Sequence, residues 1–239
     1  MYLYRFKGHE LCYATSPYPD REFVFGGTIV SNGDVGYQGR SEKDRLNATG
    51  TNHGSIECIN GQWYVFYHRN THKSAYSRQA CAEPIDILPD GSIPQVEITS
   101  QGLGGPLKTG HTYPASICCN LYSGIMAHIG NGISKKNMPY ITEEDGQQIV
   151  VATNKTRIVY KFFDLAEGAY ILTLRYKSRG GGKVILQTDF GESTAAILPS
   201  ETWVDIEIPC AFRTGIQPLV LHYQGSREFG IQSFCLHRR

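Results

Sequence analysis

The chain has 239 residues, a net charge of +1 and 19% charged residues, enough length for one large core or two modest ones. That balance gives no electrostatic footprint for a nucleic acid or an anionic membrane. No apolar run approaches the roughly 20 residues of a membrane-spanning helix, and Met1-Tyr2-Leu3-Tyr4-Arg5 lacks the basic start and apolar stretch of a secretion signal.

Strand-like sequence begins at once with Tyr2–Phe6, followed by a turn at Lys7-Gly8-His9 and a second strand over Glu10–Ser16. After the Ser16–Asp20 loop a third strand is expected over Phe23–Val30. The polar, Gly-rich segment from Ser31 to Gly50 reads as a long surface connection, of the kind that borders a functional face. Next come two apolar-rich runs, Ser55–Ile59 and Trp63–Arg69, joined by Asn60-Gly61. Both turn residues tolerate positive φ, so this is a strong hairpin signal. His53 stands just ahead of it, where a side chain can point into a pocket. Further strands are expected over Lys73–Gln79 and, from its clean alternation, Gln95–Ile98; Ala115–Leu121 reads as a strand packing on this first region.

From Tyr140 onward the texture changes to long alternating strands: Gln148–Ala152, Arg157–Phe163, Ala169–Tyr176, Lys183–Gln187, Thr202–Ile208, Pro218–Tyr223 and Phe229–Leu236. Seven such strands within about 100 residues point to a jelly-roll or Ig-like sandwich. Helical periodicity is absent throughout, so the class is all-β. Two domains are expected, residues 1–134 and 135–239. The first carries short antiparallel strands in blade-sized groups, one whole blade and part of another, whereas a closed propeller needs at least about four.

The seven cysteines sit largely inside apolar strand patterns (Cys12, Cys58, Cys210, Cys235), with Cys118 and Cys119 on opposite faces of a strand and no zinc-type C-x-x-C spacing. Buried, reduced thiols are expected. That pattern leans toward a reducing compartment such as the cytoplasm, and any targeting peptide would lie ahead of Met1.

Three stretches, in order, carry a resemblance: the run from His9 to Ser31, the run Asn52–Arg69, and Tyr76–Ile85. Together they resemble the last third of a glycoside hydrolase family 43 catalytic domain, over roughly residues 2–121. Residues 140–239 are similar to a family 6 carbohydrate-binding module. The resemblance implies a fold of partial β-propeller, the last one to two blades, followed by a jelly-roll sandwich. It also implies inverting hydrolysis of xylosidic or arabinofuranosidic bonds in plant cell-wall-type oligosaccharides or polysaccharides.

Inversion requires a carboxylate base and a carboxylic acid roughly 6.5–9.5 Å apart. By the resemblance these groups would precede Met1, so no catalytic residue is assigned and the chain alone is expected to be inactive, with a second chain able to supply the absent blades. Glu10 and Asp34 lie nearest the expected active face and read as solvated surface carboxylates. Two positions carry over. His53 matches a histidine near the propeller axis that faces a central calcium, with a histidine hydrogen-bonded at a strand start as the ordinary reading. Arg78 matches an arginine reaching the sugar subsite, where its fork can bind vicinal hydroxyls; the ordinary reading is a surface strand arginine.

Trp63, Tyr64, Phe66 and Tyr67 are expected to pack between blades. In the sandwich, Trp203, Tyr170, Tyr176, Tyr223 and Phe229 are the candidate stacking aromatics, with core packing expected for Trp203. The final run Phe229–Phe234 lacks the Asn and Trp with which such modules often end. The alternative function is a non-catalytic carbohydrate-binding or scaffold protein that works through the sandwich.

Overall fold

The computed structural model describes residues 2–4, 9–129 and 136–239. The expected Lys7-Gly8 turn and the junction at 134/135 lie outside these residues. Among the described residues there are seventeen strands, four 3₁₀ turns and no α-helix. The chain divides into two compact units. The first comprises the described residues up to Ile98 with residues 126–129, and the second Thr99–Ile125 with the chain from residue 136 onward.

In the first unit, β1 (Tyr2–Tyr4), β2 (Glu10–Thr15) and β3 (Val24–Ser31) form one antiparallel sheet. A second sheet is built from β4 (Ser55–Ile59), β5 (Gln62–Asn70) and β6 (Arg78–Ile85). Each is a blade-sized group of three antiparallel strands. Asn60 and Gly61 both adopt positive φ (51° and 85°), which closes the hairpin with Ile59 opposite Gln62. Alternation along β5 buries Val65, Tyr67 and Arg69 on one face. There Tyr67 Oη donates to Glu83 Oε1 at 3.0 Å and Arg69 Nε to Gln79 Oε1 at 2.8 Å.

Several expectations change here. His72 and Lys73 take positive φ (55° and 50°), so residues 71–77 turn and the strand starts at Arg78 instead of Lys73. Gln95–Ile98 joins no ladder: Val96 N–H donates to the Ile29 carbonyl and Ile98 N–H to Asp34 Oδ1. The Ser31–Gly50 connection holds three 3₁₀ turns, Asn32–Asp34, Tyr37–Gly39 and Glu42–Asp44, and is partly interior, since Ser31–Val35 are buried. Glu10 and Asp34 are therefore not solvated surface carboxylates; they are 7% and 1% exposed. Tyr67 is buried, but Trp63 is 38% exposed.

In the second unit β7 (Thr112–Pro114) and β8 (Asn120–Tyr122) are followed by β9 (Tyr140–Glu144), β10 (Gln147–Ala152), β11 (Thr156–Leu165), β12 (Gly168–Ser178), β13 (Gly182–Thr188), β14 (Gly191–Ile197), β15 (Ser200–Phe212), β16 (Gly215–Gly225) and β17 (Phe229–Arg238). One sheet has the order β15-β12-β17-β10-β9, with β7 paired to β17; the facing sheet runs β14-β13-β16-β11-β8. The Ala115–Leu121 segment belongs to the second unit. It splits into a 3₁₀ turn and β8, whose Asn120–Tyr122 pair with Arg157–Val159 of the sandwich.

The sandwich core is apolar and aromatic. Phe234 centres it, with ring centroids of Tyr160, Tyr113 and Phe163 at 4.1, 5.7 and 6.3 Å. Tyr170, Tyr176, Tyr223 and Phe229 all belong to this core, which removes them as stacking platforms. Trp203, expected inside, is half-buried and outside that core. All seven cysteines are free thiols. Cys12, Cys118, Cys119 and Cys210 are buried as expected, but Cys58 is exposed, on the face of the β4–β5 hairpin that it shares with the 38% exposed Trp63. Burial pushes the Cys210 thiol up to about 11, so it stays protonated and inert.

Candidate functional site

The Asn60-Gly61 turn fixes more than a hairpin. Ser55 pairs with Phe66, and the same register extended two residues sets His53 across from His68. The rings stack with centroids 5.7 Å apart and planes 17° from parallel. Gly54 makes this approach possible: a Cβ there would fall 1.8 Å from the Phe66 carbonyl oxygen, a contact no side chain tolerates.

Hydrogen bonds then set the His68 tautomer. His53 N–H donates to His68 Nδ1 at 3.3 Å, so Nδ1 carries no proton, and Nε2 faces Thr51 Oγ1 at 3.4 Å. Beneath, Asn32 Nδ2 reaches the His68 carbonyl at 3.2 Å and the Thr51 carbonyl at 3.5 Å, while Asn52 Nδ2 contacts Asn32 Oδ1 at 3.4 Å. Thr51 and His53, just ahead of β4, thereby fix the imidazole, and Asn32 of the turn after β3 holds the backbone beneath it.

Arg78 joins the same cluster. In the β5–β6 ladder Asn70 faces Arg78 and His68 faces Ala80, so Arg78 and His68 are diagonal neighbours on one face. Partial burial, then the Arg78 charge, then His53 hold the His68 pKa below its ordinary 6.5. His68 is neutral at neutral pH. His53 and Arg78 themselves are exposed. The two residues expected from sequence are therefore brought together, and His68, Thr51 and Asn32 complete a group that the sequence reading did not find. The register implied by the Asn-Gly turn was the signal that could have found His68.

The exposed His53 ring can donate to and accept from vicinal hydroxyls and the exposed Arg78 guanidinium can donate to them, whereas both ring nitrogens of His68 already face protein partners. The charged groups acting on His68 are both basic. The nearest carboxylates expected from sequence are engaged elsewhere: Asp34 Oδ1 accepts from Ile98 N–H at 2.7 Å, and Glu10 lies beside His9 at 3.8 Å. Calcium prefers a cage of oxygens. Among the described residues no group of three His, Cys, Asp or Glu side chains assembles as a metal site, and the ring on His53 is another imidazole. This donor set does not fit calcium, and no chemical step is routed through a metal.

No family model matches the chain. The fold, however, is similar to that of a solved family 43 glycoside hydrolase. A glycoside hydrolase family 43 arabinoxylan arabinofuranohydrolase from Bacillus subtilis, solved with cellotetraose, superposes with a TM-score of 0.51 at 19% identity, over 99% of this chain and 53% of that one. In sequence the chain is related to a xylosidase/arabinosidase of Thermoclostridium stercorarium, 36% identical over 242 residues, covering 95% of this chain and 51% of that protein. The chain thus spans about half the length of the curated relative it matches. A looser match is the module CsCBM6-3 from Clostridium stercorarium in complex with cellobiose, with a TM-score of 0.44 and 14% identity over 57% of this chain and 100% of that one. The likeness to a family 43 enzyme is one of fold, and the likeness in sequence is to a xylosidase/arabinosidase.

Proposed function

We propose that this chain is the C-terminal portion of a family-43-like glycoside hydrolase acting on xylosidic or arabinofuranosidic bonds of plant cell-wall-type glycans, and that alone it does not hydrolyse them. The relationship to a xylosidase/arabinosidase along 95% of the chain, over only 51% of that protein, carries the reading. In this account Arg78 is a sugar-binding residue, with His53 and neutral His68 lining the same subsite. The cluster supplies hydrogen bonds to hydroxyls, and the acid and base come from blades supplied by preceding sequence or by a second chain. An axial calcium opposite His53 belongs to this proposal only with oxygen ligands from those same blades.

The sugar class is supported by the family 43 neighbour, an arabinoxylan arabinofuranohydrolase. The test is an assay of the purified chain on nitrophenyl β-xyloside and nitrophenyl α-arabinofuranoside. Background rates are expected. Clear turnover abolished by Glu10→Gln would overturn the reading, because the chain would then hold its own catalytic carboxylate.

A further inference from the structure

The turn that sets the first-unit register carries reactive chemistry of its own. In an Asn-Gly pair the asparagine Cγ lies within reach of the next backbone nitrogen, and glycine adds no side chain to shield that nitrogen. Two such pairs stand among the described residues, Asn32-Gly33 and Asn60-Gly61. Their surroundings differ. Asn32 is 1% exposed; its Nδ2 donates to the carbonyls of His68 and Thr51, and its Oδ1 accepts from Asn52. Asn60 and Gly61 are both exposed, and nothing lies within 4 Å of a Cβ placed on Gly61.

The turn can also open. Strand β4 is the outer strand of its sheet and pairs with β5 alone, and Ser55, Glu57 and Cys58 along it are exposed. Few buried contacts therefore hold the hairpin tip, which is the condition for low-cost local opening. Opening releases Asn60 from its φ of 51° and lets the Gly61 nitrogen approach the carboxamide.

From this arrangement we infer that Asn60 is a site of spontaneous deamidation, an ageing modification that acts on the first-unit histidine pair. The deprotonated Gly61 nitrogen adds to Asn60 Cγ, the Cγ–Nδ2 bond breaks, and ammonia leaves with a proton from water. The resulting five-membered imide then takes up water. Opening at the side-chain carbonyl gives aspartate. Opening at the main-chain carbonyl gives isoaspartate, in which the backbone runs through Cβ and Cγ. Water enters, ammonia leaves and nothing is oxidised. Isoaspartate adds a carbon to the main chain of a two-residue turn. The turn that places Ile59 opposite Gln62 then cannot close with the same geometry, and the His53–His68 stack depends on that register. The inference is independent of the sugar reading.

A second hairpin in the chain supplies a comparison. Asp145-Gly146 closes β9–β10 by a turn of the same kind: Glu144 faces Gln147, the φ values are 53° and 73°, and both residues are exposed. Its carboxylate is a far poorer electrophile than a carboxamide, so the same backbone should stay intact there.

The experiment incubates the full chain in warm, mildly alkaline buffer and maps its peptides by mass spectrometry, with fragmentation that separates aspartate from isoaspartate. The expected result is replacement of NH by O at Asn60, none at Asn32, and an unchanged Asp145. The rate should rise about tenfold per pH unit, since the attacking group is the deprotonated amide. A free peptide spanning Ile59–Tyr64 sets the unrestrained rate, and the folded chain should convert within about tenfold of it. Aged protein should show a second set of His53 and His68 ring signals by NMR, in proportion to the isoaspartate formed. Asn60→Gly, which still allows positive φ in the turn, should abolish both changes. Conversion at Asn32 ahead of Asn60, or an Asn60 that stays intact while the free peptide converts fully, would overturn the site. Isoaspartate at Asn60 beside unchanged histidine signals would overturn its action on the pair.

Discussion

His53 and His68 lie ring on ring, 5.7 Å apart, because a two-residue turn at Asn60-Gly61 sets the strand register that brings them opposite each other. The backbone N–H of the first also donates to the ring of the second. One residue is exposed; the other is fixed by Thr51, and burial together with the Arg78 charge holds its pKa down.

The His68 titration should report this arrangement. Its pKa is expected below 6.5, and Arg78→Ala should move it upward, since a neighbouring cation that disfavours the imidazolium has gone. For stability the sign follows from the depressed folded value. The contribution is full above about 6.5 and is lost as pH falls through the lower folded pKa. Proton-carbon NMR of the histidine ring signals against pH measures both; an unchanged His68 pKa in the variant would refute the contact.

Gly54→Ala should destabilise the first unit by about 1–3 kcal/mol or more, the range for forced overpacking. The added carbon would sit 1.8 Å from the Phe66 oxygen, so the hairpin edge must shift. Denaturant unfolding gives the loss, and the His53–His68 contact should weaken with it. Gly61→Ala makes a comparison, because nothing lies within 4 Å of a Cβ there and only its positive φ of 85° resists substitution.

In the sandwich, Phe234→Ala should cost about 3–5 kcal/mol, the range for removing a large buried aromatic. Phe234 is 1% exposed and touches three other rings. Trp203→Ala should cost far less, since Trp203 stands outside the core. Urea midpoints for the two variants decide this ordering.

Calcium should not stabilise this chain. Ligand binding to the folded state raises the melting temperature, and the imidazoles around His53 are poor ligands for a hard cation. Added calcium or a chelator should shift the midpoint by less than about 1 °C. A large calcium-dependent rise, lost in His53→Ala, would show oxygen ligands converging on that residue.

Much of the fold was legible because local chemistry decided it. Asn60-Gly61 demanded positive φ and obtained it, and the alternating runs after Tyr140 became sandwich strands. The failures have non-local causes. Gln95–Ile98 alternates like a strand, yet its backbone groups are taken by Ile29 and Asp34. Lys73–Gln79 lost all but its last two residues to a left-handed turn at His72-Lys73. Glu10 and Asp34 looked solvated because their partners lie far along the chain or in buried surroundings. His53 and Arg78 could be singled out individually, but His68 emerges only once strand register is known.

We propose above that this chain forms the rear of a larger sugar-cleaving propeller. The most direct measurement joins it in frame behind the front half of the Thermoclostridium stercorarium xylosidase/arabinosidase and assays nitrophenyl arabinofuranoside and xyloside. The account predicts turnover absent from this chain alone, reduced about ten- to a hundredfold by Arg78→Ala, as loss of a charged hydrogen-bond donor implies. A fusion that folds cooperatively yet hydrolyses neither substrate, beside an active parent enzyme, would contradict it.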